Sequence, residues 1–347
     1  MAKKKHEERE KVVIKTDMKE KRAALEVAID EAEEKFGKGT IMILGNQKIP
    51  AIPVITTGLI SLDLAIGVLG IPRGRVVEIF GAPSGGKSTL CLQIVAEAQK
   101  SGGTALFVDA EHALDLKLAK GIGVDINTML LNQPEYGEQA LQLVEDFVRS
   151  SSVDLIIVDS VAALVPLSEI QGEMGDVSVG KQARLMSQAL RKLTAIISKT
   201  KTTVIFVNQT RKVIGNSWGP TETTSGGEAL KFYASVRLDA RRVEAIKKRE
   251  IVIGARTKIK VVKNKVAPPF RETIVDIIFG KGVSKERDLL NTAIFYDIIQ
   301  KSGAGYSYKE DQLGQGEDEA SAFLAKDPIF FDEIRTAIIE KSKIETL

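Results

Sequence analysis

Gly81-Ala82-Pro83-Ser84-Gly85-Gly86-Lys87-Ser88 fits G-x-x-x-x-G-K-[ST], the pattern of a loop whose backbone N–H groups cradle phosphate. Arg75-Val76-Val77-Glu78-Ile79-Phe80 before it is a β-branched run of strand length. Ser88 to Lys100 after it spaces Leu90, Ile94 and Val95 as a helix packed on one side. Strand, glycine loop and helix in that order aim amide hydrogens and a helix N-terminus at an anion. The pattern places Lys87 against the β- and γ-phosphates and the Ser88 hydroxyl on a magnesium ion. Gly81, Ala82, Pro83, Ser84, Gly85, Gly86 and Thr89 complete the expected nucleotide cradle.

Working outward from this loop, strands and helices alternate. Thr104–Asp109 reads as a strand, followed by a helix near Ala113–Gly121. Met129–Leu131 is extended and leads to a helix over Glu138–Arg149. Asp154-Leu155-Ile156-Ile157-Val158-Asp159 is a near-continuous apolar run, as in a strand covered on both faces. A helix from about Gln182 to Ser198 precedes the strand Thr203–Asn208. Such alternation predicts an α/β fold with a mostly parallel sheet and crossover helices. Tyr233–Arg242, Thr257–Asn264 and Glu272–Phe279 read as strands without intervening helices, hence an antiparallel extension. Lys285–Leu347 reads as a small, polar and largely helical lobe with a Gly-rich turn at Gly303–Gly316. At the other end, residues 17–37 read as an isolated helix. Asp17 with Glu20 resembles a capping box, Leu25, Ile29, Ala32 and Phe36 form a stripe, and Gly37 is the stop. That stripe needs a cover, on its own domain or on a neighbouring subunit. The expected division is an arm and linker over 1–48, a core over 49–284 and the lobe over 285–347.

Nucleotide hydrolysis needs a metal anchor, a group that activates water and a sensor of the γ-phosphate. Asp159 ends a core strand where a metal-supporting carboxylate belongs. Glu111 follows the strand Leu106–Asp109, at the carboxyl edge where ligands of open α/β sheets collect. There a carboxylate can polarise water. Asn208-Gln209 ends another strand at that edge, and a neutral amide can report a γ-phosphate through a hydrogen bond. The segment after it, Arg211–Gly227, has no periodicity and runs 17 residues, the mark of a functional or mobile loop. It holds Arg211, Lys212, Ile214 and Trp218, which suit single-stranded nucleic acid; Trp218 pinning the loop to its own domain reads equally well. A second irregular segment, Pro166–Gly180, leads to a helix with Arg184 and Arg191 on one face. Along Thr257–Lys265, Ile259, Val261, Lys263 and Lys265 share one face, which ends either at an anion or in solvent.

Composition sets outer limits. The 347 residues carry net charge +3 and one cysteine, Cys91, which excludes a disulfide framework and a ribbon of paired zinc-binding cysteines. Ala2–Glu10 is charged, without the apolar core of a secretory signal. Ile52–Ile71 is broken by Thr56, Thr57, Ser61 and Asp63, which argues against a membrane span. The expected location is the cytoplasm, with no membrane partner.

The phosphate loop, Val108-Asp109-Ala110-Glu111-His112-Ala113-Leu114-Asp115, Ile157-Val158-Asp159-Ser160-Val161-Ala162-Ala163-Leu164, and Gly226-Gly227-Glu228-Ala229-Leu230-Lys231-Phe232-Tyr233-Ala234-Ser235-Val236-Arg237 together resemble the bacterial RecA recombinase family. The likeness runs in order from about Glu31 to Gly316. It implies a RecA-type ATPase core with ATP and Mg2+ as cofactors. It further implies a helical filament on single-stranded DNA that pairs with homologous duplex and stimulates self-cleavage of the SOS repressor. Carried over by position, Lys87 and Ser88 hold phosphate and magnesium, Asp159 supports the metal, Glu111 activates water and Asp115 joins the nucleotide site. Gln209 couples the γ-phosphate to the second DNA loop (210–227, with Gly226 and Gly227), while 166–180 matches the first. Arg184, Ser187 and Arg191 match nearby DNA contacts. Lys263 and Lys265 match lysines that reach the adjacent subunit's nucleotide, Phe232 a subunit contact, and the N-terminal helix a neighbour-packing arm. Leu118 stands where a tyrosine often stacks on adenine, and Glu228 where an asparagine commonly approaches DNA phosphate. Lys341–Leu347 lacks the acidic tail of many members, so freer access of duplex DNA is expected. A ring-forming helicase on the same core and a nucleotide-gated scaffold are the rival readings.

Overall fold

The computed structural model describes residues 2–41, 51–173, 180–212 and 222–344, in two compact units, Met1–Ala51 and Ile52–Leu347. In the first, helix α1 (Ala2–Phe36) begins well before Asp17. Nothing in Ala2–Phe36 is glycine or proline, so no residue forces a start at Asp17. That side chain takes the Lys21 ammonium one turn on, at 2.7 Å, instead of capping. Gly37 does stop the helix, at φ +100°, and Leu25 and Phe36 of the stripe are exposed.

The second unit opens with β1 (Val54–Ile55) and β2 (Ile71–Pro72), paired antiparallel around α2 (Ile60–Ile66). The alternating region follows: β3 (Val76–Gly81), α3 (Lys87–Lys100), β4 (Ala105–Asp109), α4 (Leu116–Ile122), β5 (Leu130–Asn132) and α5 (Gly137–Ser150). After them come β6 (Leu155–Asp159), α6 (Leu167–Ile170), α7 (Lys181–Thr200) and β7 (Thr203–Lys212). Next are β8 (Glu222–Thr224), α8 (Ala229–Tyr233), and the long β9 (Val236–Lys248) and β10 (Ile251–Asn264). Strands β11 (Glu272–Ile278) and β12 (Gly282–Val283) close the main sheet, in the order β12-β11-β10-β9-β3-β7-β6-β4-β5 with β8 added to β7. From β9 through β5 the neighbours are parallel; β9 to β12 are antiparallel. The expected α/β architecture with its antiparallel extension is therefore present.

Period-two alternation fills both faces. Leu155 and Ile157 enter one apolar layer with Leu90 and Ile94 of α3; Ile156 and Val158 enter the other with Val144 of α5 and Leu190 of α7. Burial on both sides is why these strands are apolar throughout. The parallel strands all end on the edge that carries the phosphate loop: Gly81 lies in register with Gln209, and Asp109 with Asp159.

The lobe contains α9 (Lys285–Phe295), β13 (Gln300–Ser302), β14 (Gly305–Tyr308), β15 (Asp311–Gln315), α10 (Glu317–Lys326) and α11 (Pro328–Ile344). Gly303–Gly316 is thus mostly strand: β13, β14 and β15 form an antiparallel sheet, and Tyr306, Tyr308 and Leu313 carry its apolar side into the lobe core. The first turn of α9 fastens this lobe at three points. Lys285 bonds Glu97 of α3, Arg287 meets Asp276 of β11 at 3.0 Å, and Asp288 accepts from the N–H and hydroxyl of Ser61 on α2.

Candidate active site

Two glycines of the phosphate loop stand where a side chain would not fit. Gly86, which precedes α3, sits at φ +82°, and a Cβ there would lie 2.2 Å from Ile277 Cδ1. A Cβ on Gly81 would meet the Ala240 carbonyl oxygen at 2.1 Å. Both glycines are needed for space as well as for angle. Lys87 folds back across the loop, and its ammonium donates to the carbonyls of Gly81 (3.2 Å) and Ala82 (2.8 Å). Burial lowers its pKa, against the opposing pull of Asp159 and Glu111.

The carboxylates gather opposite. Ser88 Oγ donates to Asp159 Oδ2 at 2.6 Å. Burial pushes Asp159 up to about 6, with Ser88 and Lys87 pulling it down and Glu111 and Asp109 reinforcing the rise. Glu111 is exposed, and its Oε1 accepts from Ser160 Oγ and from Gln209 Nε2, the latter at 2.8 Å. Lys87, Ser88, Asp159, Glu111 and Gln209 thus form one group at the strand ends.

Asp109 is a residue that sequence reasoning passed over. Buried at the end of β4, it accepts from the N–H groups of Ala113 and Leu114, both at 3.1 Å, and from Gln133 Nε2 at 3.0 Å. It therefore shapes the turn that presents Glu111. Its strand-terminal place, matching Asp159, was the available signal.

The residues fit a magnesium–triphosphate group. The glycines let the loop backbone close against Ala240 and Ile277, Lys87 supplies a cation, and Ser88 with Asp159 offers the two hard oxygens that Mg2+ takes beside phosphate and water. Thr89 is half-buried in the first turn of α3. Asp115 is exposed and caps α4, accepting from Lys117 and Leu118 N–H groups at 2.8 and 3.1 Å. Leu118 packs against the first apolar layer.

The bases of the two irregular loops converge. A cavity of about 350 Å³ is lined by Pro166, Gly180, Arg211, Gly226 and Gly227 among others. Gly226 and Gly227 have φ +80° and +75°, and their Cβ atoms would strike Val161 and Ala183, each at 2.7 Å. Arg184 and Arg191 are exposed on α7 and Ser187 is half-buried between them. Ile214, Trp218 and the side chain of Lys212 lie outside the described residues. Lys263 and Lys265 are drawn to the end of α8: Lys263 Nζ donates to Lys231 O (2.6 Å) and Phe232 O (2.9 Å), Lys265 Nζ to Phe232 O (3.3 Å). Phe232 itself is 69% exposed. Glu228 pairs with Lys231 at 2.6 Å. No helix among the described residues is long and apolar enough to cross a membrane.

The RecA N-terminal domain model matches residues 23–284 and the RecA C-terminal domain model residues 287–343. Protein RecA of Clostridium novyi is 54% identical over 94% of this chain and 93% of its own length. Protein RecA of Campylobacter jejuni subsp. doylei is 55% identical over 94% and 95%, and that of Syntrophus aciditrophicus 58% over 88% and 89%. The crystal structure of the RadB recombinase shares the fold, with TM-score 0.51 and 19% identity over 66% of this chain and 98% of that one.

Proposed function

This chain belongs to the RecA family, and on that premise we propose that it is a DNA-dependent ATPase of recombinational repair that works as a helical filament on single-stranded DNA. In this reading it pairs that strand with homologous duplex, exchanges strands, and in its filament form stimulates self-cleavage of the SOS repressor in the cytoplasm. The observation that carries the reading is the convergence of Ser88–Asp159 and Glu111–Gln209 at the end of the phosphate loop. The same strand, β7, that delivers Gln209 to this group runs directly into the Arg211 loop.

Lys87 exchanges its loop carbonyls for phosphate oxygens, and Ser88 and Asp159 hold Mg2+. Mg2+ held there by Ser88 and Asp159 would supply positive charge against the phosphates. Glu111 takes a proton from the attacking water at a carboxylate oxygen. Gln209, released from Glu111, contacts the γ-phosphate and transmits its presence to the second loop. Asp115 lies at the nucleoside end. Lys263, Lys265 and Phe232 face the next subunit, so that Lys263 and Lys265 complete the neighbour's site. Arg184, Ser187, Arg191, Arg211, Lys212, Ile214, Trp218, Gly226 and Gly227 hold DNA. Residues 1–48 form the packing arm, 49–284 the motor and 285–347 the lobe.

The test is phosphate release with and without single-stranded DNA, alongside negative-stain images with and without ATP. Strong stimulation and nucleotide-dependent filaments are expected. Unstimulated turnover, or closed rings, would overturn the proposal.

A further inference from the structure

Glu78 lies inside β3 with no exposed surface. A carboxylate in a strand covered on both faces is costly unless paired, and Glu78 is paired on both oxygens. Oε2 accepts from Arg237 Nε of β9, and Oε1 from Asn208 Nδ2 of β7 at 2.9 Å. Because β3 lies between β7 and β9, one side chain ties together the strands on its two sides.

Each partner leads to a functional element. Asn208 is fully buried; it also donates to Ser225 O at 3.0 Å and accepts from Gln209 N–H at 2.9 Å. Ser225 is where the second loop returns, and its N–H reaches Gln209 O at 3.4 Å. Arg237 spreads its guanidinium over the Phe80 ring, 4.5 Å from the centroid, one residue before Gly81. It stands in register with Lys263, whose ammonium rests on the carbonyls of Lys231 and Phe232. Proximity alone carries no coupling energy. Here, however, both Glu78 oxygens and the Asn208 amide are buried and hydrogen-bonded, an arrangement in which a shift at one end strains the bonds at the other.

We propose, resting on the functional reading above, that Glu78 is a positioning residue. It joins the γ-phosphate contact at Gln209, the root of the second loop at Ser225 and the Lys263 face into one mechanical unit. Nucleotide state at Gln209 is then read in DNA affinity and at the neighbouring subunit's nucleotide. The chemistry needs both a carboxylate and its charge: the charge holds Arg237, and the second oxygen holds the Asn208 amide.

Glu78→Gln keeps the volume and removes the charge. Glu78→Met with Arg237→Met replaces the pair by apolar groups, a change buried ion pairs often tolerate in stability. For full-length wild type and both variants, the affinity for a fluorescent oligo-dT is measured with ATPγS and with ADP. Binding of a fluorescent ADP analogue and the thermal midpoint are measured alongside. The expected result is ADP-analogue affinity within about twofold of wild type, with the ATPγS/ADP ratio of DNA affinities reduced about tenfold, inside the usual range of coupling between sites. A folded variant that keeps the wild-type ratio overturns the proposal. So does a variant whose ADP-analogue affinity falls in step with the ratio, since that marks a merely structural role. A ratio of one in the wild type itself overturns the DNA-linked reading and this proposal together, and is distinguishable because it needs no variant.

Discussion

That Lys87, Ser88 and Asp159 come together could be read from sequence because their positions follow from order along the chain: a loop pattern, then a carboxylate at the end of an apolar strand. Glu111 was legible for the same reason, being two residues past a strand end on the ligand edge. Asp109 was not, because its work is to accept N–H groups of a turn that exists only once β4 and α4 are packed. Glu111→Gln should reduce phosphate release about 10²–10⁴-fold, the usual loss of a general base, while nucleotide affinity is kept; single-turnover and binding assays separate the two. Gly86→Ala should destabilise the free protein by roughly 1–3 kcal/mol, from the left-handed backbone and the collision with Ile277. Adding Ile277→Val should restore part of that in a denaturant titration. If the second change makes no difference, the collision is not the cause.

The elements were read best where burial on both faces imposed a plain apolar run, as in Leu155–Asp159. They were read worst where a strand has one wet face or none buried. Arms β9 and β10 extend beyond Arg242 and before Thr257, through residues such as Lys247 and Lys248 with no apolar alternation to reveal them. Strands β13 to β15 hid among glycines for a similar reason, and Tyr233, read as a strand start, closes α8. Helix α9 makes a prediction of its own. Burial pushes Asp288 up to about 7 from an ordinary 3.8, against the Ser61 hydrogen bonds. In the unfolded chain the group ionises near 3.8, while in the fold it holds its proton until about 7. Its stabilising contribution is therefore complete at low pH and is lost as pH climbs through that interval. Thermal midpoints taken from about pH 4.5 to about pH 7.5, a range that covers most of this loss, should fall less steeply for Asp288→Asn than for wild type. Equal slopes would exclude Asp288 as the titrating group.

The molecule as a whole carries surface that a solitary subunit leaves uncovered: Phe232 at the end of α8, with the lysines that cap it, and Leu25 and Phe36 on α1. If Lys263 and Lys265 complete a neighbour's nucleotide site, turnover per subunit should rise with protein concentration. Lys263→Ala with Lys265→Ala should suppress it at least about tenfold, the scale of losing charge stabilisation at a transferring phosphoryl group. Mixing this variant with Glu111→Gln should recover some activity, because each supplies what the other lacks; dead mixtures would argue for a site built within one chain. The expectation of assembly rests on the family likeness, since neither a stripe nor a lysine pair says what it meets.

The three-point fastening at the start of α9 also bears on how the protein can be cut for study. A truncation ending before Lys285 would take Lys285 from Glu97 and Asp288 from Ser61, and leave the buried Asp276 side chain with Arg256 alone. It would also bare Ile60 and Leu64, which pack into the lobe core, so the shortened product should be poorly soluble unless those apolar positions are made polar, and removing the lobe is a redesign problem rather than a choice of boundary.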